Sequence, residues 1–240
     1  MERLFPRGII SAILERLVAA TLPALLLAAC DRAAPAARAT PGPSPPAATP
    51  AASAPVDDRP VVLFVGTSLT AGFGLDPSEA FPALVQQKID AAGLRYRVVN
   101  AGVSGETSAG ALRRLDWLLR EPVAVLVVET GANDGLRGQD PDATRANLQA
   151  ILDAARRKQP SPRLVLAAME APPNYGEDYR RRFRALYPEL AKASGATLLP
   201  FLLDGVAGDA KLNQPDGIHP TAEGERRVAE NVWKVLRPIL

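Results

Sequence analysis

Short apolar runs rich in β-branched residues alternate along this chain with segments of helical period, and this alternation constrains the fold more than any other feature. Five runs have the composition of strands: 61–65, 96–99, 123–128, 163–167 and 197–201. Several are apolar on both faces, as a parallel sheet covered on both sides requires. Strands that alternate with helices pair in parallel through right-handed crossovers. The pattern therefore predicts an α/β fold, a three-layer α/β/α sandwich with a five-stranded parallel sheet.

Apolar residues between these runs recur at intervals of three and four positions, which places them on one face of a helix. The five predicted helices carry these stripes: Phe81, Leu84, Val85 and Ile89; Leu112, Leu115, Leu118 and Leu119; Leu148, Ile151, Leu152 and Ala155; Phe183, Leu186, Tyr187 and Leu190; Val228, Val232, Val235, Leu236 and Ile239. The last helix is predicted to be entered after Pro220, because proline can occupy a first helical turn, where its missing N–H has no partner.

Residues 1–29 have the pattern of a secretory signal peptide. Arginines precede an apolar stretch of about a dozen residues, too short to span a hydrocarbon layer of roughly 30 Å. The stretch ends in Leu27-Ala28-Ala29-Cys30, which resembles a bacterial lipobox, and Cys30 is the only cysteine of the chain. We expect export to the periplasm with a lipid on Cys30, which would then be the sole contact with a membrane. The alternative is an ordinary cleaved signal followed by an incidental cysteine.

Residues 30–60 are dominated by Ala, Pro, Thr and Ser. Repeated proline favours extended polyproline II, and the apolar content is too low to offset the entropy of ordering. This segment is predicted to be a disordered tether that begins at the lipidated cysteine. Residues 61–240 then form one catalytic domain of ordinary size.

The charge balance, the residue counts and the glycine spacing exclude several classes of function. With 28 basic and 26 acidic residues, the formal net charge is +2, without the concentrated basic face of a nucleic-acid-binding protein. A single histidine and a single cysteine leave few ligands for a metal. The glycines of residues 66–74 match neither a phosphate-binding loop nor a dinucleotide fingerprint. No metal or cofactor is predicted, and the sequence gives no indication of oligomeric state.

Polar motifs follow three of the predicted strands, at the point where each strand ends. They are Gly-Thr-Ser-Leu at 66–69, Asn-Ala-Gly-Val-Ser-Gly-Glu-Thr at 100–107, and Glu-Thr-Gly-Ala-Asn-Asp at 129–134. A long loop after the fifth strand carries Asp216 and His219. Ligands gather beyond the carboxyl ends of parallel strands, so these motifs are expected to converge on one edge of the sheet.

Ser68 and His219 supply the residue types of a serine hydrolase. A serine hydroxyl becomes an effective nucleophile when a neighbouring base takes its proton, and His219 is the only histidine available. The acid three positions before it, Asp216, can orient the imidazole only if the loop turns back on itself. An ordinary α/β-hydrolase is excluded, because Thr70 stands in place of the second glycine of its Gly-x-Ser-x-Gly elbow and the acid lies too close to the histidine.

Four blocks in order resemble the SGNH hydrolases of the GDSL lipolytic group, in particular their bacterial periplasmic thioesterase, lysophospholipase and arylesterase branch. The blocks are 66–72, 100–107, 131–138 and 216–220, and the likeness extends over nearly all of residues 61–237. The resemblance implies a flavodoxin-like sheet and a catalytic triad of Ser68, Asp216 and His219. It also implies an oxyanion hole formed by the backbone N–H groups of Ser68 and Gly105 and the side-chain amide of Asn133.

Two loops resemble those that shape acyl binding in this family. The predicted substrate-binding residues are Gly135, Leu136, Arg137, Pro173, Asn174 and Tyr175. One position departs from the family pattern, because Thr67 stands where the GDSL block has its aspartate. The threonine takes part neither in the proton transfer nor in binding the oxyanion, so we expect activity to survive, with rate and preference open to change.

The resemblance implies an esterase that forms an acyl-enzyme and acts on a small-molecule ester or lipid, with aryl, acyl or thioester substrates all open. Two alternatives remain. One is a carbohydrate O-deacetylase of the cell envelope, since related folds deacetylate polysaccharides. The other is a lipid-anchored binding module that has kept the fold and lost turnover.

Overall fold

The structure, a computed structural model, describes residues 57–240. Five parallel strands form one sheet in the order β2-β1-β3-β4-β5. The strands are β1 (Val61–Gly66), β2 (Arg97–Gly102), β3 (Val125–Glu129), β4 (Arg163–Ala167) and β5 (Thr197–Leu199). The α/β fold and the five-stranded parallel sheet predicted from the sequence are confirmed.

The described residues contain seven α-helices, of which six lie between strands and the last follows β5. They are α1 (Ser68–Ala71), α2 (Phe81–Ala91), α3 (Ser108–Leu118), α4 (Ala132–Leu136), α5 (Pro141–Lys158), α6 (Glu177–Ser194) and α7 (Ala222–Leu236). Helix α2 packs beside α7, while α3, α5 and α6 pack in a row, so the sheet is covered by two groups of helices. Strands β1 and β3 are buried along their whole length, which explains why their sequences are apolar without alternation.

Strand boundaries differ from the predicted ones where a side chain or a proline interrupts the ladder. Val123 lies before β3 and donates its N–H to the side chain of Gln159 at 2.9 Å. Strand β5 ends at Leu199, and the next residue, Pro200, has no N–H to continue the ladder. Strand β2 extends to Gly102, three residues beyond the prediction, so the start of the second polar motif is strand rather than loop.

Helix α7 follows Pro220, as the sequence predicts, but the proline does not occupy the first turn. Pro220 lies outside the helix rather than in its first turn, and the N-cap is Thr221, whose hydroxyl accepts the N–H of Gly224 at 3.2 Å. Pro220 instead pairs with Asn213 in an isolated antiparallel bridge. This bridge closes the base of the loop that carries Asp216 and His219.

The chain leaves β1 for β2 on one side and later returns to β3 on the other, so the direction of winding reverses between β1 and β3. A crevice forms at such a switch point, beyond the carboxyl ends of the strands. Helices α1 and α4, which the sequence pattern did not predict, begin directly after β1 and β3. Both therefore lie at this crevice.

The predicted signal peptide, residues 1–29, lies outside the described residues, as do Cys30 and most of the predicted tether. Residues 57–60, at the end of that tether, are described, and there the Arg59 guanidinium donates to the carbonyl of Tyr96 at 3.4 Å. Within residues 57–240 none of the helices is both long enough and apolar enough to cross a membrane.

Candidate active site

Ser68 stands at the first position of α1, immediately after the turn that ends β1. Thr67 caps this helix, and its side-chain oxygen accepts the N–H of Leu69 at 3.4 Å. The second polar motif packs against the same helix, since a Cβ on Gly102 would lie 2.8 Å from the Thr67 carbonyl oxygen and would collide with the Ala71 nitrogen. The position of Ser68 is therefore fixed from both its strand and the neighbouring strand.

The imidazole of His219 lies between Ser68 and Asp216. Its Nε2 is 2.9 Å from Ser68 Oγ, and its Nδ1 is 2.7 Å from Asp216 Oδ2. The short Asp-x-x-His loop thus turns back as the predicted triad requires. With Nδ1 donating to the carboxylate, the neutral ring presents the lone pair of Nε2 to the serine hydroxyl, which is the tautomer that a general base needs.

Asp216 is held as an anion by hydrogen bonds from its own loop. The backbone N–H of His219 and the imidazole lower the pKa of the carboxyl to about 2, and the N–H of Ile218 adds to this effect. The two backbone donors contact Oδ1 at 3.0 and 2.9 Å. Asp216 therefore stays charged throughout the physiological range and can stabilise an imidazolium that forms during turnover.

The loop that carries the histidine is tied to the loop after α1. Gln214 makes this link through its side-chain amide, which donates to the Phe73 carbonyl at 2.7 Å and to the Pro220 carbonyl at 2.9 Å. Its backbone N–H donates to the His219 carbonyl at 2.7 Å. The Phe73 ring lies 4.5 Å from the imidazole, with the planes tilted by 36°. These contacts set the distance between the imidazole and Ser68, although the two residues are 151 positions apart.

Three donors face the space in front of Ser68. The backbone N–H groups of Ser68 and Gly105 have no backbone or side-chain acceptor in the described part of the chain. Asn133, in α4, donates one amide N–H to the Glu106 carbonyl at 3.0 Å, which fixes the amide and leaves its second N–H for the cleft. All three groups line or border the same cleft, as the predicted oxyanion hole requires.

Position 105 needs a glycine because of its backbone conformation, not because a side chain would lack space. Its φ is +75°, and a Cβ there would meet only Arg137 Nη2, at 3.9 Å. The Arg137 guanidinium donates to the Gly105 carbonyl at 2.9 Å. Arg137, predicted to bind substrate, thus holds the loop that presents the Gly105 N–H.

A buried carboxylate supports the side of the cleft that carries Gly105 and Asn133. Asp134 follows Asn133 and accepts the backbone N–H of Ser108 at 2.8 Å and its hydroxyl at 2.5 Å. The hydroxyl of Thr144, in α5, approaches the same carboxylate at 3.3 Å. Asp134 therefore joins the start of α3, which follows the Gly105 loop, to the helix that carries Asn133.

The cleft has a volume of about 300 Å³. Its lining residues are Thr67, Ser68, Leu69, Phe73, Ser104, Gly105, Ala132, Asn133, Leu136, Ile218 and His219. Of the six residues predicted to bind substrate, Leu136 lines the cleft, while Gly135 is buried, where a Cβ would lie 3.0 Å from Phe183. Tyr175 lies behind the cleft wall, with its hydroxyl donating to the Leu136 carbonyl at 3.0 Å. Pro173 and Asn174 belong to the same 3₁₀ turn and do not line the cleft.

Sequence reasoning missed an apolar rim around this cleft. The described residues include six large apolar side chains that are exposed, and three of them line the cleft: Phe73, Leu136 and Ile218. The other three are Val103, Trp117 and Tyr175. Position next to a catalytic block is the signal that could have identified Ile218, which lies between Asp216 and His219.

No group of three His, Cys, Asp or Glu side chains that could hold a metal ion occurs in residues 57–240. The arrangement around Ser68 can instead supply a nucleophile, a base and a site for a developing oxyanion. A flavodoxin-like sheet with a Ser–His–Asp set and neighbouring N–H donors at its switch point defines a class of protein, the serine hydrolases that cleave carboxylic esters.

Comparison with known proteins gives the family. Residues 64–227 match the model of the GDSL-like lipase/acylhydrolase family, and the chain belongs to this family. It is 43% identical over 180 residues to esterase TesA of Pseudomonas aeruginosa, covering 75% of this chain and 89% of that protein. It is 39% identical over 181 residues to thioesterase 1/protease 1/lysophospholipase L1 of Escherichia coli, covering 75% and 84%.

A solved structure agrees with the sequence relatives. The crystal structure of TesA superposes with a TM-score of 0.72 at 42% identity, covering 75% of this chain and 99% of that chain. The family and the named relatives together establish a carboxylic ester hydrolase of the SGNH type.

Proposed function

We propose that Ser68 is the nucleophile, His219 its general base and Asp216 the carboxylate that orients the base. The observation that carries this assignment is the continuous chain of contacts from Ser68 Oγ to His219 Nε2 at 2.9 Å and from His219 Nδ1 to Asp216 Oδ2 at 2.7 Å. His219 takes the serine proton as Oγ attacks the ester carbonyl, then returns it to the leaving group. Water hydrolyses the resulting acyl-enzyme by the same steps.

The oxyanion of the tetrahedral intermediate is bound by the Ser68 and Gly105 N–H groups and the Asn133 amide. Donors that already point at the developing charge stabilise it without reorganisation, and loss of one typically lowers turnover about 10²–10³-fold. The support for this role is that two of the donors lack other acceptors in the described residues and that the third is fixed by Glu106.

The substrate is an ester with an apolar acyl or aryl part. An apolar rim with a narrow polar floor favours a chain that buries its methylene or aromatic groups against Phe73, Leu136 and Ile218. The names of relatives, an esterase and a thioesterase/lysophospholipase, agree with this chemistry. An acetylated glycan would gain little from this rim, which makes the carbohydrate O-deacetylase the weaker candidate.

We further propose that the protein is exported to the periplasm and anchored by a lipid on Cys30, with residues 30–60 as the tether. The sequence pattern before Cys30 carries this part of the proposal. Mass spectrometry of the mature amino terminus tests it: a diacylglyceryl-cysteine at position 30 supports the anchor, and a processed terminus elsewhere refutes it. Cys30→Ser, which removes the thiol that would carry the lipid and should abolish the diacylglyceryl mass, is the matched variant.

A fluorophosphonate probe tests the assignment of the nucleophile. The intact protein should be labelled on Ser68, and labelling should vanish in Ser68→Ala and fall sharply in His219→Ala. Folded protein that is not labelled would instead be the catalytically silent binding module. Turnover of p-nitrophenyl esters and acyl thioesters of increasing chain length, compared with acetylated glycan, then identifies the acyl group that the rim selects.

A further inference from the structure

A buried glutamate lies directly behind the turn that carries Ser68. Glu129, the last residue of β3, is fully buried, as are Thr67 and Thr70 on either side of the nucleophile. The carboxyl belongs to a different strand from the serine, so any bond between them ties the nucleophile turn to the centre of the sheet.

Three donors from the nucleophile turn converge on this carboxyl. The Thr67 backbone N–H reaches Oε2 at 2.9 Å, and the Thr70 hydroxyl reaches the same oxygen at 2.7 Å. The Thr67 hydroxyl is 3.1 Å from both carboxyl oxygens. The residues immediately before and two after Ser68 are thus both attached to one side chain.

The first glycine of the nucleophile block makes room for this arrangement. A Cβ on Gly66 would lie 2.6 Å from Glu129 Oε2 and would collide with Thr70 Oγ1. The space that the glycine leaves open is therefore filled by the hydrogen bond between Thr70 and Glu129.

Thr67, the residue that departs from the GDSL pattern, links the start of α1 to the Glu129 carboxyl. Its oxygen accepts the N–H of Leu69 while the hydroxyl lies against Glu129. Burial raises the pKa of Glu129, and the Thr67 N–H and the Thr70 hydroxyl oppose part of that shift. A carboxyl and a hydroxyl can exchange donor and acceptor roles, so the contact survives in either protonation state of the glutamate.

We propose that Glu129 is a positioning residue for the established ester hydrolysis, acting through Thr67 and Thr70 to aim Ser68 at His219 and at the oxyanion donors. The inference rests on the proposed role of Ser68 as nucleophile. Small displacements of a reacting group lower the rate steeply, whereas substrate contacts along the apolar rim do not depend on Glu129. Loss of this support should therefore lower kcat and leave KM nearly unchanged.

The test compares two equivalent Thr→Val changes, at Thr70 and at Thr130. Both threonines are fully buried, Thr70 in α1 and Thr130 directly after β3, but the Thr130 hydroxyl has no hydrogen-bond partner among the described residues. Thr70→Val should lower kcat roughly 10–10²-fold with KM within about threefold. Thr130→Val should keep the kcat of the wild-type protein, and Thr70→Ser should restore the activity lost in Thr70→Val.

Two changes at Glu129 complete the test. Glu129→Gln keeps an acceptor for Thr67 N–H and Thr70 and should retain most of kcat, while Glu129→Met should lose it with an unchanged KM. Thermal unfolding of each variant separates folded protein from misfolded protein, and Thr70→Val decides the question if Glu129→Met does not fold. Equal kcat in folded Thr70→Val and Thr130→Val overturns the proposal. Full turnover in Ser68→Ala would instead overturn the proposed function itself.

Discussion

Asp216 binds His219 at two places, with Oδ2 at 2.7 Å from the ring Nδ1 and Oδ1 accepting the backbone N–H of the same residue at 3.0 Å. One carboxylate therefore sets both the tautomer of the imidazole and the bend of the loop that presents it. The acid and base need no second element to bring them together. What the rest of the fold must supply is the approach of this loop to Ser68, which Gln214 and Phe73 provide.

Replacement of Asp216 by asparagine separates these two roles. An asparagine oxygen can still accept the backbone N–H groups of Ile218 and His219, so the loop should keep its shape. The amide cannot stabilise an imidazolium and favours the wrong tautomer, so kcat should fall on the order of 10⁴-fold. Stopped assays with a short p-nitrophenyl ester measure the effect, and circular dichroism checks the fold. A loss of less than tenfold would contradict the assigned role.

On the acid side of the pH–rate profile, the loss of activity should follow the uptake of a single proton by the active site. The pKa of Asp216 is lowered to about 2, so this carboxylate is ionised above that pH and loses its charge only as pH falls through it. Well above that pH Asp216 takes up no proton, and loss of the base that accepts from Ser68 requires only one. The logarithm of kcat/KM should rise with a slope of one against pH and then level off. A slope of two in this range would show that a second essential group titrates with it.

Glycine 105 can be tested against a glycine of similar conformation elsewhere. Gly105 and Gly93 have φ values of +75° and +69°, and neither would press a Cβ closely against a neighbour. Alanine at either position should therefore lower the free energy of unfolding by a similar amount, about 1 kcal/mol. Only Gly105→Ala tilts an oxyanion donor, so it alone should lower kcat, about 10²–10³-fold. Equal kinetic effects of the two changes would remove Gly105 from the oxyanion hole.

The sheet, the helices of the long stripes and the four site blocks follow from the sequence because each depends on local periodicity or on a short motif. The contacts that support the site cannot be predicted from the sequence in this way. Glu129 is a single acidic residue at the end of a strand, and nothing local indicates that its carboxyl lies under Thr67, 62 positions away. Helix α4 is equally invisible, since Ala-Asn-Asp-Gly-Leu lacks a helical stripe and begins after Gly131 at a φ of +107°. Such short elements form only because neighbouring strands hold their ends.

The stability of the domain should fall as pH rises, because Glu225 is a buried acid with no ion-pair partner among residues 57–240. This residue of α7 accepts the N–H of Phe81 at 2.8 Å and thereby caps α2, whose own N-cap, Ala80, offers no side-chain acceptor. Burial raises the pKa of Glu225 to about 8, and the nearby Glu129 adds to that rise.

A raised pKa means that the folded state holds the proton more tightly than the unfolded state. The stability linked to Glu225 is fully present below its unfolded value of 4.5 and is lost as pH rises to about 8. Glu225 contributes at most about 1.4 kcal/mol per pH unit to the slope of the unfolding free energy against pH.

Glu225→Gln keeps an acceptor for Phe81 and carries no charge, so urea unfolding should give wild-type stability near pH 5 and greater stability than wild type near pH 8. Glu230→Gln changes an exposed glutamate of the same helix, paired with Lys88, and should leave the pH dependence as it was. A Glu225→Gln protein that loses stability in parallel with the wild type would show that this carboxyl is already ionised in the fold.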